Sequence, residues 1–93
     1  METMLNMLKV DLGILSSTRY DERLTQLLTA ARSAIIDEGV ATLDDADPLD
    51  QQLMVMYAAW LWRRRDDMQG MPRMLRLALN NRIVREKAGE ADA

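Results

Sequence analysis

The sequence predicts an all-α fold: a small bundle of four helices, with a short first helix, two long central helices and a terminal helix started by proline. Three observations carry this expectation. Apolar residues recur at three- and four-residue spacing, with no alternating strand pattern. Phe is absent, β-branched residues are few and Met is frequent, at 8 residues, a balance that favours helices. Gly13, Gly39, Pro48 and Pro72 fall at the joints between four such stretches.

The first helix is expected from about Thr3 to Leu12, with Leu5, Leu8 and Leu12 on one side and Gly13 breaking it. The second opens at Thr18, where "TRYD" has the form of a capping box with Asp21 turned back to the cap. It stops before Gly39, which suits a left-handed terminus. Tyr20, Leu24, Leu27, Leu28, Ala31 and Ile35 fall within about 80° of one another on a helical wheel. Arg23, Gln26, Ser33 and Asp37 fall elsewhere, so this helix is one-sided.

In the third helix Asp47 caps, Pro48 takes the first position and Asp50 favours the positive end of the dipole. Leu49, Leu53, Met56, Tyr57 and Trp60 form its main stripe. Val55, Ala58, Ala59 and Trp62 form a second stripe about 160° away. A helix apolar on nearly all sides is enclosed by neighbours, and in a domain this small one neighbour could be another copy.

Pro72 restarts the chain as the fourth helix, expected to end near Lys87. Met71, Leu75, Ala78 and Leu79, extended by Ile83, face the core, and Leu77 and Val84 lie on the far side with no evident internal partner. Arg73, Arg76, Asn80 and Lys87 line a polar strip beside them. Arg82 falls on the apolar stripe, so its stem should pack while its head meets a carboxylate. The expected core is Leu24, Leu28, Ala31, Ile35, Leu53, Met56, Tyr57, Trp60, Leu75 and Leu79. Residues 1–4 and 88–93 are expected to fray.

The 93 residues fit one domain spanning 1–93, and 48% hydrophobic with 29% charged residues is a globular balance. Cys and His are absent, which removes disulfides, thiol nucleophiles, imidazole bases and nearly every zinc site. The N-terminus lacks the pattern of a signal peptide. The longest apolar run, residues 53–62, is about half the roughly 20 residues that span a bilayer. These features lead to the expectation of a soluble intracellular protein without membrane contact. Net charge is −3, but residues 1–50 carry 4 basic and 10 acidic side chains while residues 51–93 carry 8 and 5. Such a split suits an acidic tail, a nucleic-acid face, or copies that attract one another.

The acidic run "DDADPLD" does not make a calcium loop. It lacks the central Gly, and the twelfth position from Asp45 is Met56 instead of a bidentate Glu. The neighbouring carboxylates Asp66 and Asp67, or Asp21 and Glu22, diverge on a helix and suggest no acid–base pair. With no phosphate loop and no possible Ser–His or Cys–His pair, the reading is a non-enzyme without catalytic residues, cofactor or metal. Arg63, Arg64, Arg65, Arg73, Arg76, Arg82 and Arg85 flank a helix–turn–helix-like break. A fourth helix with Arg73, Arg76, Asn80 and Asn81 could enter a major groove, as in a small DNA-binding regulator. The two acids in the turn oppose phosphate there, which favours a solvated or subunit-facing basic surface. Trp62 either covers the first helix or contacts another molecule, since tryptophan and arginine are enriched at interface hot spots.

"MLKVDLGI" and "YDERLTQLLTAARSAIIDEG", with the later "YAAWLWRRRDDMQGMPRMLRLALNNR", resemble the tailed-phage head–tail connector (adaptor) family, whose members are also described as DNA-packaging proteins of phages and prophages. The shared pattern is a short helix, an acidic turn, a long helix with alanines, a Tyr-to-Arg helix and a Pro-opened terminal helix. It maps onto Asp11, Tyr20, Asp21, Ala31, Tyr57, Arg64, Pro72 and Arg82, and covers about residues 5 to 85. The short acidic loop before the third helix departs from it.

The resemblance implies a structural virion protein made in the host cytoplasm. Copies would form a ring below the portal protein and present a platform to stopper or tail-completion proteins. DNA would pass through the channel without sequence-specific binding, and the free chain could be monomeric. For a head-to-tail contact between copies, the residues expected at the interface are Trp62, Arg63, Arg65, Arg73, Arg76, Leu77 and Val84.

Overall fold

The computed structural model describes residues 2–64 and 70–92. Among these the chain is all-α, with helices α1 (Glu2–Leu12), α2 (Asp21–Asp37), α3 (Pro48–Arg64) and α4 (Arg73–Asp92). The expected Arg65, Asp66 and Asp67 lie outside the described residues.

Helix α1 ends where Gly13 adopts φ 75°, and the chain turns after α2 at Gly39 with φ 122°. Both positions need a residue without a Cβ. The expected capping box does not form. Helix α2 begins at Asp21, three residues after Thr18, with Tyr20 at its N-cap and no side-chain bond to the cap. The Asp21 carboxylate is drawn instead to Lys9 Nζ, 2.8 Å away. That lysine is 5% exposed on α1, and a buried ammonium has more to gain from a carboxylate than a backbone N–H near water does.

The start of α3 follows the expectation. Asp47 Oδ1 accepts the Leu49 N–H at 3.1 Å, and the Asp47 carbonyl accepts that of Gln51 at 2.8 Å. Pro72 plays the corresponding role for α4, its carbonyl accepting from Arg76 N at 3.0 Å. Glu2 and Thr3 are helical, Met4 is buried, and α4 runs past Lys87 to Asp92.

Helix α3 is the centre of the fold: α2 packs along it, and α1 and α4 pack onto it from other directions. The core joins Leu8 of α1, Leu24, Leu28 and Ile35 of α2, Leu53, Met54 and Ala58 of α3, and Leu75 and Leu79 of α4. Val40 and Leu43 seal it from the connecting loop. Ala31 and Tyr57 are buried as expected, and desolvation, with the charge of Glu38 adding to it, pushes the Tyr57 hydroxyl pKa up.

Two core assignments need correction, since Met56 and Trp60 are only half-buried, and Leu49, expected on the main stripe of the same helix, is 66% exposed. They share the side of α3 that α2 does not reach. The molecule measures 45 × 28 × 17 Å, and its shortest dimension corresponds to about two helix layers at the usual 8–10 Å axial spacing. Among the described residues no third layer covers that side.

Candidate interaction surface

The most connected polar group is a cluster that fastens α4 to the start of α3 and its preceding loop. Arg82 Nε donates to Asp50 Oδ1 at 2.8 Å, and Asp50 is 1% exposed. Asp50 Oδ2 also accepts the Asp44 backbone N–H at 2.9 Å. Arg85 reaches Asp50 at 3.3 Å and Asp47 at 3.7 Å. Glu86, itself buried, accepts from the Thr42 N–H at 2.7 Å and from its hydroxyl at 2.8 Å. These Thr42 bonds, with Arg82 nearby, hold the Glu86 carboxyl below its ordinary pKa. The bond to Asp50 raises the pKa of Arg82. Every charge here is answered from within the chain, so the cluster is a latch between elements.

The expectation for Arg82 is met: a side chain on an apolar stripe whose head finds a carboxylate. Asp50 was legible only as a helix-dipole residue, and Glu86 not at all, because their partners are 32 and 44 residues distant in sequence. The same latch shows how the acidic and basic halves are used. Asp50–Arg82, Asp47–Arg85, Asp11–Arg63 (3.3 Å) and Glu38–Arg76 (3.3 Å) each join one half to the other inside a single chain. Much of the charge expected to orient copies is therefore spent within the subunit.

The residues expected at an interface stand in different settings, and Arg65 lies outside the described residues. Trp62 is half-buried and stands edge-on to Tyr20, ring centroids 5.2 Å apart at 77°. Its ring thus packs against the residue that precedes α2. Arg63 is exposed beside Asp11, and Arg76 is half-buried beside Glu38. Arg73 is exposed, and Leu77 and Val84 are 47% and 67% exposed on the outward side of α4. Among the residues expected at the interface, Leu77 and Val84 expose apolar side chains and Trp62 is half-covered.

Four more exposed apolar side chains escaped the sequence reading: Val10 (62%), Leu15 (55%), Leu49 (66%) and Met74 (72%). Of these, Met74, Leu49 and Val10 each line a groove beside α3. One groove, about 340 Å³, contains Met74 together with Met56, Trp60 and Arg64. A second, about 390 Å³, lies between α3 and α4 and contains Leu49, Gln52, Ala78 and Asn81. A third, about 510 Å³, lies between α1 and α3 and contains Met7, Val10, Gln52 and Val55. The Arg64 guanidinium lies 5.0 Å from the centre of the Trp60 ring. The Trp60 indole N–H is buried with no hydrogen-bond partner among the described residues.

Among the described residues no group of three or more acidic side chains is placed to hold a metal ion. Nor is any described helix long and apolar enough to cross a membrane. No protein-family model, curated protein or solved structure matches the chain.

Proposed function

We propose that the chain is a non-catalytic structural adaptor of a tailed phage or prophage: a head–tail connector that assembles below the portal and carries the stopper or tail-completion proteins. The proposal rests on the resemblance of residues 5 to 85 to that family and on one physical observation. Helix α4 presents Leu77 and Val84 to solvent, 47% and 67% exposed, on the side opposite its buried Leu75 and Leu79. The two stand in one row, two turns apart with exposed Asn80 and Asn81 between them, a mixed apolar and polar face that suits a protein contact.

The charges beside that row fit the same reading. Arg73 and Lys87 are exposed on α4, while Glu22, Asp37 and Asp44 are exposed elsewhere on the chain. A contact that brings α4 of one copy to the acidic side of the next would be heterologous, and such contacts close into rings when the rotation permits. A DNA-reading role is less well supported: Arg76 is engaged by Glu38, and Arg82 and Arg85 are held by Asp50.

The test is to induce the phage or prophage in its bacterial host, purify virions and portal-containing complexes, and ask by mass spectrometry whether this chain is a component. Presence in several copies per complex is expected. Absence from intact particles would overturn the reading, and tight, salt-sensitive binding of the free chain to duplex DNA would favour a regulator instead.

A further inference from the structure

The two halves of α4 are held by different forces. In the first half, Leu75 and Leu79 are 2% and 0% exposed and belong to the apolar core. Among the described side chains of the second half, residues 80–89, Ile83 alone packs against that core. What fastens this half is the latch: Arg82 to Asp50 at 2.8 Å, Arg85 to Asp50 at 3.3 Å, and Glu86 to the Thr42 N–H at 2.7 Å.

Asn80 and Asn81 join the two halves. Both are exposed, and asparagine is a poor helix former because its amide competes for backbone hydrogen bonds. Two in succession put a weak turn between the apolar anchor of α4 and its ionic one. We propose that residues 80–89 form a hinged arm, which swings off the start of α3 when the charge of the latch is neutralised while the first half of α4 stays docked.

Charge makes the docking conditional. Apolar burial does not titrate, whereas the latch needs ionised carboxylates. Glu86 faces the Thr42 N–H and hydroxyl on the loop and Arg82 on its own helix, with the Asp50 charge opposing it. Asp50 faces Arg82, Arg85 and the Asp44 N–H, and Asp47 faces Arg85. The Glu86 carboxyl is held below its ordinary pKa, first by the Thr42 N–H, so the docked arm prefers the ionised form. Docking is therefore complete above the ordinary Glu value of about 4.3 and weakens as pH falls through the lowered one.

Leu77 stands before the hinge and Val84 after it, so opening separates the two exposed apolar side chains of α4. It also frees Thr42 and bares Leu53 of α3, which lines the α3–α4 groove with Ala78, Arg82 and Arg85. The charge state of the latch thus sets the shape of the outward side of α4. The arm requires only the latch and the hinge, and so is independent of the connector reading.

The test is native-state hydrogen exchange of the full chain, followed amide by amide by NMR in low urea and corrected for intrinsic exchange rates. So short an undocked segment is marginal as a helix in water, so opening exposes its amides. At pH 7 the amides of residues 83–88 should share one opening, at least about tenfold more frequent than that of Leu24–Ile35 and nearly independent of urea. The amides of Leu75 and Leu79 should not join it. Lowering the pH to about 3 should make this opening at least about fivefold more frequent. Glu86→Gln should do the same at pH 7 and flatten the pH response, and Asn80→Ala with Asn81→Ala should make it at least about threefold rarer. The proposal is overturned if residues 83–88 exchange only with the core, or if Leu75 and Leu79 open with them. It is also overturned if protection declines gradually toward the end of α4 and Glu86→Gln leaves it unchanged, which is ordinary end fraying, or if the alanine variant opens as often as the parent. Measurements on the parent alone decide the first two outcomes, whether or not Glu86→Gln folds.

Discussion

Arg82 of α4 and Asp50 of α3 meet at 2.8 Å, with the carboxylate 1% exposed and the arginine side chain 10% exposed. This pair fastens α4 against the start of α3. Removing Arg82 leaves Asp50 with Arg85 and the Asp44 N–H, and removing the Asp50 charge leaves Arg82 with Thr42 and Glu86. Arg82→Met and Asp50→Asn should therefore each cost about 2 kcal/mol, short of the loss for a wholly unpaired buried charge. The double variant should lose clearly less than the two single losses combined. Urea denaturation of the four proteins measures the cycle, and additive losses would show that the pair is not coupled.

The Glu86 carboxyl is held below its ordinary pKa, first by the Thr42 N–H, then by the Thr42 hydroxyl, with Arg82 contributing. A folded pKa lower than the unfolded one means that unfolding takes up a proton in the acid range. The stabilisation is complete above the unfolded carboxylate pKa and disappears as pH falls through the lowered folded value. The urea midpoint of the parent should thus decline on acidification below about pH 5. Glu86→Gln should be less stable at neutral pH and show a shallower acid decline. An unchanged pH profile in that variant would remove Glu86 from the account.

Trp62 and Tyr20 form an edge-on pair at 5.2 Å. Half-burial makes Trp62→Ala a moderate loss, about 2 kcal/mol, with the helical circular-dichroism signal retained. A double-mutant cycle with Tyr20→Ala should return a coupling of about 1 kcal/mol. Zero coupling would mean that Trp62 contributes to this subunit by other contacts.

Gly39 adopts φ 122°, with open space where a Cβ would be. Gly39→Ala therefore tests backbone strain without a steric clash, and should cost about 1–2 kcal/mol in thermal or urea unfolding. Parent-like stability would mean that the loop relaxes to another conformation.

The local signals in the sequence were informative wherever the deciding interaction was local. Asp47 with Pro48 set the start of α3, Gly39 the turn after α2, and the spacing of Leu24, Leu28, Ala31 and Ile35 the buried side of that helix. "TRYD" misled because a residue distant in sequence, Lys9, competes for the Asp21 carboxylate. Helical periodicity marked Leu49, Met56 and Trp60 as apolar, but not which apolar side of α3 would be left bare. That depends on how α1 and α4 diverge around it, and so the bare side became visible only in three dimensions. Leu77 and Val84 were legible because they oppose the stripe that α4 buries.

The central claim is that the apolar row on α4 exists for assembly. The most direct measurement compares incorporation of the parent chain and a Leu77→Glu/Val84→Glu variant into portal-containing complexes, quantified by mass spectrometry. Both positions are exposed, so the variant should keep its unfolding midpoint to within about 0.5 kcal/mol. The account predicts the parent in the complex and the folded variant missing from it; a folded variant incorporated at the parent's level would contradict it.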